Sequence, residues 1–506
     1  MERKQGLDGV QSVSDNEWQL AIEAFPCPTE KFVPSSEKPR EANIRELFSF
    51  FKADTPSGQS FDYADPIYGP IKLSPEILGL INTAPVKRLG WVTQQTAALT
   101  ERGKGIDYTR LTHSIGVSIL GDRMSDKLGL DQNERNILTS CGLLHDVRHA
   151  PLSHLFELIN RINGVSFDHD SRSIDFLRAP DLRLALGSLG LSPQDIFSNL
   201  TDKREGSDQL ASPLGYLAKE VLDRVDYLQR DTFSDPFIKE SQKLKIRQAC
   251  QNLLSVLSFN RDRGLIVCKE EHLDVIREFN MWRAFAFQVL PFNRSTQVVN
   301  AFIRREADRS FAHLTEQQRN IFLREATTYS DEQFLAKFLP HARAILKSGN
   351  FEDNFAVLNI IKADMLTPRG VQELRVHPTL HLIREVCGKR FCGEHNPLVV
   401  RRPKPASAVT FNVESENGYI EARSVQPLAL PEELEEMTHG HLKPGRIPHG
   451  CDSSEVMIVC ERGFDNENDL VRAQHQIERA LIEKRLIQPQ ASTVARLDAL
   501  KCDNLR

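Results

Sequence analysis

LLHDVRHAPLSH, residues 143–154, places His145, Asp146, His149 and His154 within ten residues, directly after two leucines. The whole chain has 15 histidines in 506 residues, so three in one run call for a chemical reason. An imidazole beside a carboxylate can reach one ion from neighbouring positions, which suits a hard or borderline divalent cation. Such an ion needs further ligands from elsewhere in the chain. RLTHSIG supplies His113 upstream, and LDRVDYLQRD supplies Asp223 downstream.

Working outward, Asp131 followed by Glu134 has the pattern of a capping box, and Ile137, Leu138, Cys141 and Leu144 follow at helical spacing. The helix they predict delivers His145 and Asp146 at its C-terminal end. A second helix is predicted through SPLGYLAKEVLDRVDYLQRD, where Leu214, Leu217, Val221, Val225 and Leu228 form one apolar stripe. Asp223 and Tyr227 fall on roughly the opposite side. Ser74, Pro75 and Glu76 read as a helix start, and helical patterns dominate from there to about residue 390. Beyond NPLVVRRPKPAS the pattern changes. VTFNVESENGYIEARSV alternates around Glu416-Asn417-Gly418, a hairpin signal. SSEVMIVCERGF reads as a strand and DLVRAQHQIERALIEKRLI as an amphipathic helix.

The expected fold is therefore mainly α, a helical core with a smaller C-terminal α+β domain. The division expected is a partly irregular leader over 1–60, a helical domain over 61–395, a linker over 396–407 and the α+β domain over 408–506. The leader is interrupted by Pro26, Pro28, Pro34, Pro39 and Pro56.

A net charge of -5 supplies no basic field, so strong nucleic-acid binding is not expected. The charged N-terminus MERKQGLDGV lacks the apolar run of a signal peptide, and no apolar run is long enough for a spanning helix. Nine dispersed cysteines, an odd number, point to free thiols in a reducing cytoplasm. Cys387, Cys392 and His395 lie close in sequence, but their spacing is too loose for a zinc knuckle.

The order His, His-Asp, Asp resembles the HD phosphohydrolase superfamily. RLTHS, LLHDVRHAPLSH, FDHDS and DRVDYLQRD, with DPIYGPIKL and VKRLGWVTQ ahead of them, resemble its deoxynucleotide triphosphohydrolase branch, the dGTPase-like and sterile-alpha-motif HD enzymes. The resemblance spans roughly residues 61 to 300. It implies a divalent ion (Mn, Mg, Fe, Co or Zn) bound by His113, His145, Asp146 and Asp223. It implies His149, His154 and His169 around the reacting phosphate, with Glu157 orienting an imidazole. It further implies Arg110 and Arg224 on substrate phosphates, Tyr227 and Asp231 near the sugar, and Gln94 near the sugar hydroxyl. The implied reaction is attack at the α-phosphorus of a dNTP, giving deoxynucleoside and tripolyphosphate, in an enzyme that forms homo-oligomers. On chemistry alone, a bound ion activates water, arginines neutralise phosphate charge and His154 is suited to protonate the leaving oxygen.

The sequence departs from that branch at several positions. Arg148 replaces a glycine in HDVRH. Asn82, Lys87 and Gly90 stand where the regulated enzymes have an acidic residue, a glutamine and an arginine, which argues against an activator site of that kind. Gln95 replaces a leucine near the sugar, so selection for deoxyribose is not implied. MWRAFAFQVLPFNRSTQVV, which includes Arg294, gives no reading of base preference. Two alternatives stay open: an HD nucleotidase or cyclic-nucleotide phosphodiesterase acting on another substrate, or a nucleotide-binding regulatory protein without turnover.

Overall fold

The computed structural model describes residues 41–52, 59–99, 108–162, 177, 179–201, 212–235, 238–289, 294–311, 315, 329–347, 355–361, 367, 398–401, 409–429, 456–461 and 467–488. His169 and the Cys387, Cys392 and His395 group lie outside these residues.

Helix α1 (Ala42–Lys52) leads into a hairpin of β1 (Phe61–Asp65) and β2 (Gly69–Leu73). Helix α2 (Pro75–Ile81) starts where Ser74 accepts a hydrogen bond from Ile77 N, with proline at the first helical position. The central element is α3 (Arg110–Leu128). Every side from Arg110 to Gly121 is buried, the mark of a helix surrounded by others. It ends at Gly129, whose φ of 63° turns the chain back. Asp131 and Glu134 then form the expected capping box, and α4 (Gln132–Leu144) runs back along α3.

Helix α5 (His154–Ile162) follows the HD run. The predicted helix through 213–234 is present, with Leu214, Leu217, Val221, Val225 and Leu228 all buried. It is not uniform. A helical turn over Pro213–Tyr216 widens to a π-helical turn over Leu217–Leu222 and then continues as α6 (Asp223–Ser234). Next come α7 (Glu240–Val256), β3 (Leu257–Asn260), β4 (Leu265–Lys269), α8 (Leu273–Val289), α9 (Arg294–Phe311) and α10 (Asp331–Phe338).

The molecule is mainly α, with an α+β region towards its C-terminus. Strands β5 (Phe355–Ile361), β6 (Leu398–Arg401), β7 (Val409–Glu414), β8 (Ile420–Val425) and β9 (Val456–Glu461) precede α11 (Glu467–Glu483). The β7–β8 hairpin turns at Gly418, φ 73°.

Strand pairing crosses the expected boundary at 396–407. Strand β7 adds in parallel to β4, giving the sheet order β3-β4-β7-β8, and β9 lies between β5 and β6. The paired edge of β4 removes an unsatisfied row of backbone groups. Phe411, Val413 and Val425 join the main core, and Asn280 Nδ2 donates to Val425 O at 2.7 Å. The C-terminal strands thus extend the helical part.

Two apolar cores result. The larger packs α1, α3, α4, α6, α7 and α8 together. The smaller joins Leu99, Ala150, Leu152, Leu155, Phe156 and Ile159 to residues of α9 and α10. Cys141, Cys250 and Cys268 are free and buried. Among the described residues no helix is long and apolar enough to cross a membrane.

Candidate metal centre

His113 sits in the first turns of α3, and His145 and Asp146 follow the last residue of α4. His145 Nδ1 lies 2.8 Å from Gly142 O. A carbonyl only accepts, so Nδ1 carries the proton and Nε2 keeps its lone pair. His113 Nδ1 lies 2.7 Å from Asp226 Oδ2, which fixes its tautomer in the same way. The two Nε2 atoms then face each other at 3.3 Å.

Asp223 follows directly on the widened turn of its helix, a deviation common at functional sites. Its Oδ1 lies 2.9 Å from His113 Nε2 and 3.6 Å from His145 Nε2. Asp146 contributes Oδ2 at 3.8 Å from His113 Nε2 and Oδ1 at 3.5 Å from His145 Nε2. Ligands held about 2.1 Å from a shared ion stand about 3.0–3.4 Å apart. The ligating atoms of His113, His145 and Asp146 also lie within 4.8 Å of one another. This group of two imidazoles and a carboxylate could hold a divalent ion, with the Asp223 carboxylate beside both imidazoles, and the donor set leaves the ion's identity open.

The electrostatics favour a cation. Burial opposes ionisation of Asp146, but Arg110, His145 and His149 hold its carboxyl well below the ordinary range. Burial likewise opposes ionisation of Asp223, and hydrogen bonds with His113 and His145 outweigh it. For His113 itself, burial pulls the imidazole down, while Asp223 and Asp226 push it up to about 10, so that without an ion Nε2 carries a proton facing Asp223, the position a bound cation would take.

The other predicted residues lie at varied distances from this point. His149 Nε2 is 3.1 Å from Asp146 Oδ1, and its ring meets that of His154 edge-on at 4.9 Å. The His154 side chain is 68% exposed, with Nδ1 3.6 Å from Glu157 Oε2, so it is open to a ligand from solvent. Arg110 Nη1 donates to Asp146 Oδ2 at 2.5 Å and Nε to Ser153 Oγ at 3.1 Å. Arg224 turns back along its helix to Glu220 Oε2 at 2.5 Å. Tyr227 Oη accepts from Arg283 Nε at 2.5 Å. Asp231 is buried and accepts from Tyr108 Oη. The Gln94 backbone N–H donates to Tyr108 O at 3.2 Å, which ties the glutamine segment beside Asp231. Arg148 is buried. Of Arg294 only the backbone, at the start of α9, is described.

Sequence reasoning missed the support behind these groups. Asp226 accepts from Tyr68 Oη at 2.8 Å and from both Arg230 Nε and Nη2 at 2.9 and 2.8 Å, while it holds His113. Arg230 also reaches Asp65 Oδ2 at 3.1 Å, linking the β1–β2 hairpin to the ligand. Arg88, fully buried, donates to His149 O at 2.6 Å. The signal for Asp226 was available: an acid–base pair at positions 226 and 230, flanked by the apolar stripe, faces inward and so needs buried partners.

Residues 110–231, the span that holds all four converging groups, match the family model described as the HD domain. Residues 110–231 are an HD domain. Relatives of the chain include the uncharacterized protein YwfO of Bacillus subtilis, 27% identical over 248 residues, covering 47% of this chain and 53% of that protein. Another is the deoxynucleoside triphosphate triphosphohydrolase SAMHD1 of Homo sapiens, 34% identical over 100 residues, covering 18% of this chain and 16% of that one. The chain spans about half the length of the Bacillus relative it matches. Among solved structures, a hypothetical protein from Aquifex aeolicus matches with a TM-score of 0.53 at 18% identity, over 83% of this chain and 100% of that one. That likeness is one of fold.

Proposed function

We propose that the protein is a metal-dependent phosphohydrolase of nucleotides, releasing tripolyphosphate from deoxynucleoside triphosphates. The observation that carries the reading is the grouping of His113, His145 and Asp146, with Asp223 Oδ1 beside both imidazole Nε2 atoms. The metal class fits the donor set, and a divalent ion there supplies charge neutralisation and an activated water. The dNTP assignment draws on the ordered motifs and on the name of the SAMHD1 relatives.

In this reading His154, exposed at the rim, donates the proton to the leaving oxygen. Glu157 holds its other ring nitrogen, a contact of 3.6 Å that substrate binding draws tighter. His149 lies between Asp146 and His154 and orients both. Arg224 turns from Glu220 to a substrate phosphate, and Arg110 keeps Asp146 ionised. Asp231, Tyr227 and Gln94 line the sugar end. His169 belongs with the phosphate group by sequence. The free thiols and the resemblance support a homo-oligomer working in the cytoplasm.

The test is product analysis. Purified protein is incubated with each dNTP and NTP and with Mn²⁺, Mg²⁺ or Co²⁺, and nucleoside, phosphate, pyrophosphate and tripolyphosphate are resolved. Tripolyphosphate from a dNTP is expected. Orthophosphate from monophosphates would replace the substrate assignment, and no product at all would reject the enzyme.

A further inference from the structure

The turn between His149 and His154 carries two residues that L side chains adopt at a cost. Leu152 and Ser153 have φ of 64° and 53° in succession. Left-handed non-glycine residues are strained and persist only where the surroundings over-determine them. What surrounds them comes from far along the chain. Leu152 N donates to Asp331 Oδ1 at 2.7 Å. The other oxygen of the same carboxylate, Oδ2, accepts from Thr93 N at 2.8 Å and Thr93 Oγ1 at 2.6 Å. Ser153 Oγ in turn donates to Thr93 O at 3.1 Å. Asp331 is 3% exposed and opens α10, outside the HD domain.

One buried carboxylate therefore fastens two walls of the site together. One wall is the turn that carries His149 and His154. The other is the Thr93 segment, which continues into Gln94 and Gln95. The metal ligands stand on or directly after helices of the larger core, whereas Leu152, Leu155 and Phe156 pack in the smaller one with α9 and α10; of the four, Asp146 is joined to the turn, through His149 and through Arg110 to Ser153. Thr96 Oγ1 donates to Asn300 Oδ1 at 2.5 Å, a second tie from the same segment to α9.

We propose that Asp331 is a positioning residue: it holds the strained Leu152–Ser153 turn, and through it His149 and His154, in register with the metal ligands and the Gln94–Gln95 wall. Its importance for turnover rests on the function proposed above; its hold on the turn does not.

Asp331→Ala removes all three hydrogen bonds, and Asp331→Asn keeps the shape but not the charge. Three quantities are compared with the parent protein: hydrogen exchange of the 149–156 segment, bound Mn²⁺, and kcat and KM on dNTPs. Loss of a hydrogen bond to a charged acceptor is expected to speed exchange at Leu152 by about tenfold or more. Bound Mn²⁺ should stay at the parental level. Misplacement of the imidazoles should lower kcat by about a hundredfold in the alanine variant, with KM little changed. The asparagine variant should fall between, and it carries the test alone if the alanine variant does not fold. Glu332→Gln, which breaks the contacts of the next residue with Arg343 and Lys347, should leave kcat and the 149–156 exchange unchanged.

Unchanged exchange at 149–156 would overturn the proposal, as would faster exchange with undiminished kcat. So would loss of Mn²⁺ together with turnover, which would mean general disruption. If the parent protein turns over no nucleotide, the proposed function fails, and exchange with Mn²⁺ content still decides whether Asp331 holds the turn.

Discussion

Gly116 lies one helical turn beyond His113, and its missing side chain makes room for Asp226 behind that imidazole. A Cβ there would meet Asp226 Oδ1 at 2.0 Å and Arg230 Nη2 at 2.2 Å. Gly116→Ala is expected to push the carboxylate off His113, costing about 1–3 kcal/mol of stability by overpacking, and to weaken metal binding. Thermal unfolding and a Mn²⁺ titration check this; a variant with both unchanged would contradict it. Asp231 makes a different prediction at the same scale. Burial pushes its carboxyl up to about 6, against the hydrogen bond from Tyr108 that lowers it. The folded chain therefore keeps a proton that the unfolded chain releases between 3.8 and about 6. Stability falls as pH rises through that window, and the cost, roughly 3 kcal/mol at most, persists at neutral pH. Asp231→Asn keeps an acceptor for Tyr108. It should unfold at a higher temperature than the parent at pH 7.5, with the gap closing towards pH 4, and should lose activity. A gap that widens as pH falls would refute the assignment.

At the scale of elements, the site depends on how closely α4 lies against α3. Gly142 allows it, since a Cβ there would stand 3.0 Å from Ser118 N and from Val117 C and O. Gly142→Ala should spread the helices that carry His113 and His145. The expected result is about 1–3 kcal/mol of lost stability with weaker metal binding, read from denaturant unfolding and metal titration. The caps at Ser74 and Asp131 and the His145-bearing helix end were legible in the sequence because each is fixed within four residues. The widened turn at Leu217–Leu222 was not. The stripe at 214, 217, 221, 225 and 228 is buried with the turn present, so apolar spacing gives no sign of it. Asp331 was hidden for another reason. Its role depends on Leu152 and Thr93, more than 150 residues away in sequence.

At the scale of the whole molecule, the order of motifs pointed to the central helices and to four converging donors, since each motif is short and local. The strand pairing was not legible, because β4 and β7 are joined by no local turn and their pairing rests on burying Phe411 and Val413 in the core. The C-terminal strands are therefore expected to stabilise the helical part. A chain ending at residue 401 should unfold at a lower temperature than the full chain, and an unchanged midpoint would show that the C-terminal strands stand apart. The most direct measurement is metal content. After equilibration with Mn²⁺ and removal of free ion, the parent protein should retain a single ion per chain. His113→Ala, His145→Ala, Asp146→Ala and Asp223→Ala should each lose it, while His154→Ala keeps it. Retention of the ion by any of the first four variants at the parental level would contradict the shared centre.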